Sequence, residues 1–132
     1  MNRYEKKKIL HSYQAIIIDI ERLMEEYERI YTEATKIVPT LTGMPSSNVK
    51  DDKMLKHVEK MVEIQNRIDK KKQKIAWIDS ELARLKPHHR EIVEYIDIKG
   101  FSTEKVAELM HTSEKAIKLR HNRTIDRMFN NQ

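Results

Sequence analysis

Apolar residues recur along the first third of the chain at Tyr13, Ile16, Ile17, Ile20, Leu23, Met24, Tyr27, Ile30, Tyr31, Ala34 and Ile37, in alternating steps of three and four. That rhythm keeps one stripe of a helix apolar and predicts a coiled-coil element. Pro39, Gly43 and Pro45, set among Thr40, Thr42, Ser46, Ser47 and Asn48, then predict a break, a hinge over residues 38–50. Asp51 and Asp52 supply N-terminal capping charge for a second helix. Its seam repeats every seven residues at Met61, Ile68, Ile75 and Leu82, with Ile64, Ile78 and Leu85 on the companion positions. His57 and Lys71 occupy companion positions of the same seam, where a polar side chain weakens packing but fixes register.

Two helices of similar length joined by a short break fold back as an antiparallel hairpin, so residues 1–86 are expected to form a helical coiled-coil hairpin that drives oligomerisation. The apolar stripe of the first helix is too wide for one partner helix, and a homodimer is therefore expected. Trp77 lies beside the seam and is expected to pack on the next segment or on a second protomer.

Pro87 stops the second helix. Residues 87–132 then show the rhythm of a small trihelical domain. Ile92, Val93, Ile96 and Ile98 form the inner stripe of its first helix, and Gly100 closes that helix in a left-handed conformation. Ser102 or Thr103 caps a short helix with Val106, Ala107, Leu109 and Met110 inward, and Ser113 caps a last helix with Ile117, His121, Ile125 and Met128 inward. Ala107 is the small residue a helix-turn-helix needs where its two helices cross. The fold class is thus all-α: a long antiparallel two-helix coiled coil followed by a C-terminal trihelical helix-turn-helix domain.

The outer face of the last helix carries Glu114, Lys115, Lys118 and Asn122, side chains suited to base edges in a major groove: lysine for guanine, asparagine for adenine, glutamate for the cytosine amino group. Ser102, Thr103, Lys105, Ser113, Arg120, Arg123 and Arg127 suit phosphates. Double-stranded DNA is the partner these residues fit.

Composition sharpens this picture. Only 2 Gly and 3 Pro stand against 36% charged residues, the balance of an all-helical chain. The net charge of +5 includes an acid-free basic stripe at Lys115, Lys118, Arg120 and Arg123. The absence of Cys excludes disulfides and thiolate metal sites. The longest apolar run, Ala15 to Ile18, is too short for a membrane span, and the first residues lack the apolar core of a signal peptide, so a cytoplasmic protein without membrane contact is expected. Adjacent His88 and His89 point in different directions and read as solvated or phosphate-facing, not as a metal pair. Lys70, Lys71, Lys72 and Lys74 read as a solvated coiled-coil flank. No nucleophile triad, phosphate loop or paired-carboxylate cleft can be assembled, so neither catalysis nor a cofactor is expected.

The stretch IVEYIDIKGFSTEKVAELMHTSEKAIKLRHNRTIDRM resembles region four of bacterial sigma factors, and more closely the phage late-gene regulators of the ArpU-like type. In those regulators a long helical segment with a stretch like ATKIVPTLTGMP precedes the sigma-like domain, as here. The resemblance implies sequence-specific transcription control for a phage or mobile element, with Glu114, Lys115 and Lys118 at the family's base-reading positions. It also implies docking beside host RNA polymerase or a host sigma factor, because no aromatic-rich promoter-melting segment is present. His111 stands where the turn usually has Gly, Thr112 where an apolar residue is usual, and Arg120 where an apolar anchor is common; Leu119 is expected to replace that anchor. Two other classes fit the pattern less well: a phage terminase small subunit, whose DNA module usually comes first and which forms rings, and a coiled-coil adaptor that binds only protein.

Overall fold

The computed structural model describes residues 1–41 and 48–130. Among them every regular element is helical: α1 (Arg3–His11), α2 (Tyr13–Leu41), α3 (Asn48–Ala83), α4 (Pro87–Val93), α5 (Thr103–Leu109) and α6 (Glu114–Arg127), with α4 continuing through a wider π turn at Glu94–Ile98. The all-α architecture is the expected one, a long antiparallel helix pair followed by a trihelical helix-turn-helix. Of the break expected over 38–50, the part up to Leu41 belongs to α2 and the part from Asn48 to α3, while residues 42–47 lie outside the described residues. Asp51 and Asp52 accordingly fall within the first turns of α3, not ahead of it. The chain divides into two compact units, residues 17–73 and residues 1–16 with 74–132.

Residues 17–73 hold the hairpin. Ile20, Leu23 and Ala34 of α2 and Ile64 and Ile68 of α3 are buried. The polar seam residues set the register. Lys71 Nζ donates to Asp19 Oδ2 at 3.5 Å, and His57 Nε2 lies 3.2 Å from Glu33 Oε2. A step of two heptads along α2, from Asp19 to Glu33, is matched by two heptads back along α3, from Lys71 to His57, so both pairs report one antiparallel register. They close one flank. The opposite flank stays open, with a cavity of about 240 Å³ lined by Met24, Tyr27, Glu28, Gln65, Ile68 and Lys72. Tyr31, one heptad beyond Met24, and Val58, one heptad before Gln65, extend that apolar flank, and both are exposed.

The second unit builds two cores around α4. Leu10, Ile78, Leu82, Val93, Ile125, Met128 and Phe129 form the first. Trp77 packs on it with its ring tilted on Phe129, centroids 4.9 Å apart, so the next segment is what it meets. Ile92, Val106, Ala107 and Ile117 form the second, with Tyr95, Ile96, Phe101 and Met110 at its edge. Leu109 departs from the expected inner stripe: it is 47% exposed, because Val106, Ala107 and Met110 already fill the face that meets α6.

The unit also takes in α1, which periodicity alone did not separate from the long helix. Ser12 makes the break. Its hydroxyl donates to the Ile9 carbonyl at 2.6 Å, so a local side-chain bond competes with the helical ladder. α1 then packs on α6 and on the π turn and buries Leu10 completely. The module expected from residues 87–132 therefore shares its core with α1 and with the end of α3.

Candidate nucleic-acid interface

The helix-turn-helix consists of α5, a turn and α6. Ser102 opens α5, its hydroxyl accepting from Lys105 N–H at 3.1 Å, and Ser113 opens α6 by accepting from Ala116 N–H at 3.1 Å. Each cap satisfies a donor that a helix start leaves without a partner. Between them the end of α5 is a complete Schellman turn: Thr112 N–H donates to Ala107 C=O at 3.0 Å, and His111 N–H to Glu108 C=O at 3.3 Å. The turn needs a left-handed residue, and His111 adopts it with φ 53°. Gly100, φ 76°, plays the matching part before α5. His111 and Thr112 therefore preserve the turn despite their departure from its usual residues.

α6 buries Ile117, His121, Thr124 and Ile125. Helical geometry puts Lys115, Lys118, Leu119 and Asn122 on the opposite side. Lys115 and Lys118 are exposed there and Asn122 is half-buried. Leu119 is 50% exposed and does not replace an anchor at Arg120; it stands in the outer face instead. Glu114 is engaged within the module. Its carboxylate accepts from Thr103 Oγ1 at 2.8 Å and lies 3.3 Å from Lys118 Nζ. The Thr103 hydrogen bond first, and Lys118 second, hold the Glu114 carboxyl below its ordinary value. Glu114 thereby ties the start of α5 to α6.

Of the residues suited to phosphates, Ser102 and Ser113 sit at the two helix starts with their hydroxyls engaged as caps. Lys105 is exposed and stands over the Phe101 ring, 4.1 Å from its centroid. Arg120, Arg123 and Arg127 are exposed on one flank of α6, on the far side of the helix from Lys118. Arg120 Nη1 donates to His88 Nε2 at 3.3 Å.

Long-range polar contacts, buried at Asp97 and Lys6 and exposed at Arg3, set α6 in place. The Asp97 carboxylate, fully buried, accepts from His121 Nε2 at 2.5 Å and from His11 Nε2 at 2.7 Å. Arg3 makes a forked pair to Asp126 at 3.0 and 2.7 Å. Lys6, itself buried, donates to the Asp126 carbonyl and to Asn130 Oδ1, both at 2.8 Å. Sequence reasoning missed these contacts, although a signal existed: Asp97 stands four residues after the core residue Val93, where a charge needs partners. Among the described residues no group of three His, Asp or Glu side chains is arranged to hold a metal, and no helix is long and apolar enough to cross a membrane.

Two capped helices around a Schellman turn, with a polar outer face on the second, define a DNA-binding helix-turn-helix. A family model described as Sigma-70, region 4 matches residues 75–128, which makes this part of the chain a sigma-factor-like, transcription-related module. The match begins near the point where α3 enters the second compact unit, and it leaves α1 outside. No curated protein and no solved structure gives a match.

Proposed function

We propose that the protein is a sequence-specific transcription regulator of a phage or mobile element that reads a promoter-like site with α6 and acts together with host RNA polymerase. The observation that carries this reading is the outer face of α6. Lys115, Lys118, Leu119 and Asn122 share it, and the Ser113 cap and the α5 turn fix its direction. Lysine suits guanine O6 and N7, asparagine suits adenine, and an exposed leucine suits the thymine methyl group. Ser102, Thr103, Lys105, Ser113, Arg120, Arg123 and Arg127 supply phosphate contacts, while Glu114 orients Lys118 and meets a cytosine amino group once Lys118 swings to its base. That ion pair is solvent-exposed, so breaking it costs little. The hairpin dimerises through its open apolar flank and sets the spacing of two half-sites.

Replacing Lys118 by Ala tests the reading. Binding to a site selected from random duplexes should weaken by about 1 to 3 kcal/mol, with little change on scrambled DNA. Equal loss on both duplexes would reduce Lys118 to a backbone contact, and no loss on either would remove α6 from the interface.

A further inference from the structure

On the Arg120 side of α6 an open cavity of about 260 Å³ lies between that helix and the junction of α3 and α4. Its walls bring together Arg84, Lys86 and His89 from the junction and Arg127 from α6. Arg120, hydrogen-bonded to His88, adds a further cation close by. One acid, Glu81, also lines the cavity, but it is buried and already engaged: Oε1 accepts from Phe129 N–H at 2.9 Å, and Oε2 lies 3.5 Å from Arg84 Nη1. The Thr124 hydroxyl is likewise committed, to the Arg120 carbonyl at 2.7 Å. Asn130 is committed too, its Oδ1 accepting from Lys6 and its Nδ2 donating to the Asp126 carbonyl, which leaves guanidinium, ammonium and imidazole donors to meet a ligand.

Glu81 balances one of these charges through Arg84, and the surplus of Lys86, Arg127 and Arg120 at a concave surface still costs self-repulsion unless a further anion sits among them. Two guanidinium forks and an ammonium suit a ligand with several oxygens in a small volume, which is a phosphate group. We infer that this trough binds phosphate, and that the backbone of the DNA strand flanking the groove read by α6 supplies it. His89 fits the role of a neutral donor at the rim: burial first, and then the neighbouring His88, Arg127, Lys86 and Arg120, push its imidazole below the ordinary histidine value. The choice of DNA as source rests on the function proposed above; the phosphate chemistry of the trough does not.

The test uses the full chain with Arg84→Gln and Lys86→Gln together, both positions being exposed and outside the outer face of α6. Circular dichroism and thermal melting confirm the fold. A control variant, Lys70→Gln with Lys72→Gln, removes the same charge from the hairpin. In the DNA arm, the slope of log affinity against log salt should fall by about 0.9 for each phosphate that the replaced side chains neutralise in wild type, equally on selected and random duplexes, and hold at the wild-type value in the control. In the second arm, inorganic phosphate should shift the His89 imidazole resonances and raise their titration midpoint in wild type but not in the double variant.

An unchanged slope with a phosphate response confined to wild type keeps the trough as a phosphate site and assigns it to a free phosphate-bearing molecule instead of DNA. An unchanged slope with no phosphate response, or an equal fall in slope in the control without one, overturns the inference. If wild type binds no duplex at all, the proposed function fails, and the phosphate arm alone decides the trough.

Discussion

The Asp97 carboxylate holds His121 of α6 at 2.5 Å inside the core and His11 of α1 at 2.7 Å nearer the surface. Through one buried acid α6 is tied both to the end of α4 and to the N-terminal helix. Removing it leaves a buried imidazole donor without its acceptor, a change that costs about 1 to 3 kcal/mol. Asp97→Ala should lose that much in urea unfolding followed by Trp77 fluorescence. His11→Ala should lose much less, since its side chain is 56% exposed. Equal losses would mean that α1, and not the burial of Asp97, dominates the network.

Alkaline pH should loosen the place where α2 begins. Burial first, and then the hydrogen bond that Tyr13 donates to Asp79 at 2.8 Å, push the Tyr13 phenol up to about 12. An unfolded tyrosine ionises near about 10, so this group's contribution is complete below that pH and is lost as pH rises from there through the folded value. Melting temperature should fall in that window, and Tyr13→Phe should flatten the fall. A variant with an undiminished alkaline step would place its origin at another residue.

The left-handed His111 carries a cost that glycine would not. A non-glycine residue in that region is strained by about 1 to 2 kcal/mol, partly offset by the greater freedom glycine has in the unfolded chain. His111→Gly should therefore raise unfolding free energy by up to about 1 kcal/mol without changing DNA affinity. A loss of stability would show that the His111 side chain contributes contacts worth more than the strain it imposes.

Self-association is expected to use the open flank of the hairpin. Met24 is 48% and Val62 55% exposed, and each lies on or beside the face lined by Tyr27, Gln65 and Ile68. Met24→Glu with Val62→Glu should convert a dimer to monomer in sedimentation equilibrium while helix content stays constant. Replacing Glu25 and Glu59, both exposed and set toward the outside of their helices, by Gln should leave the dimer intact. A dimer that survives the double glutamate variant uses another surface.

Much of this molecule was legible in the residues themselves. Heptad spacing gives α2 and α3, and Ser102, Gly100 and Ser113 mark where short helices start and stop, because those signals act within a few residues of one another. Pro87, expected to stop the second helix, instead opens α4, α3 having ended at Ala83. The inner stripe Ile117, His121, Ile125 and Met128 and the outer face bearing Lys115 and Lys118 follow from the same periodicity. Tertiary structure decided what depends on distant partners. Leu119 and Leu109 face outward because other side chains had already filled the core. Ser12 divides the first helix, which lets Leu10, Lys6 and His11 reach residues more than eighty positions away. Periodicity records which face of a helix is apolar, but it carries no information about which distant segment covers that face. The buried acid joining α1 to α6 and the cationic trough beside Arg127 therefore become visible only when the chain is folded.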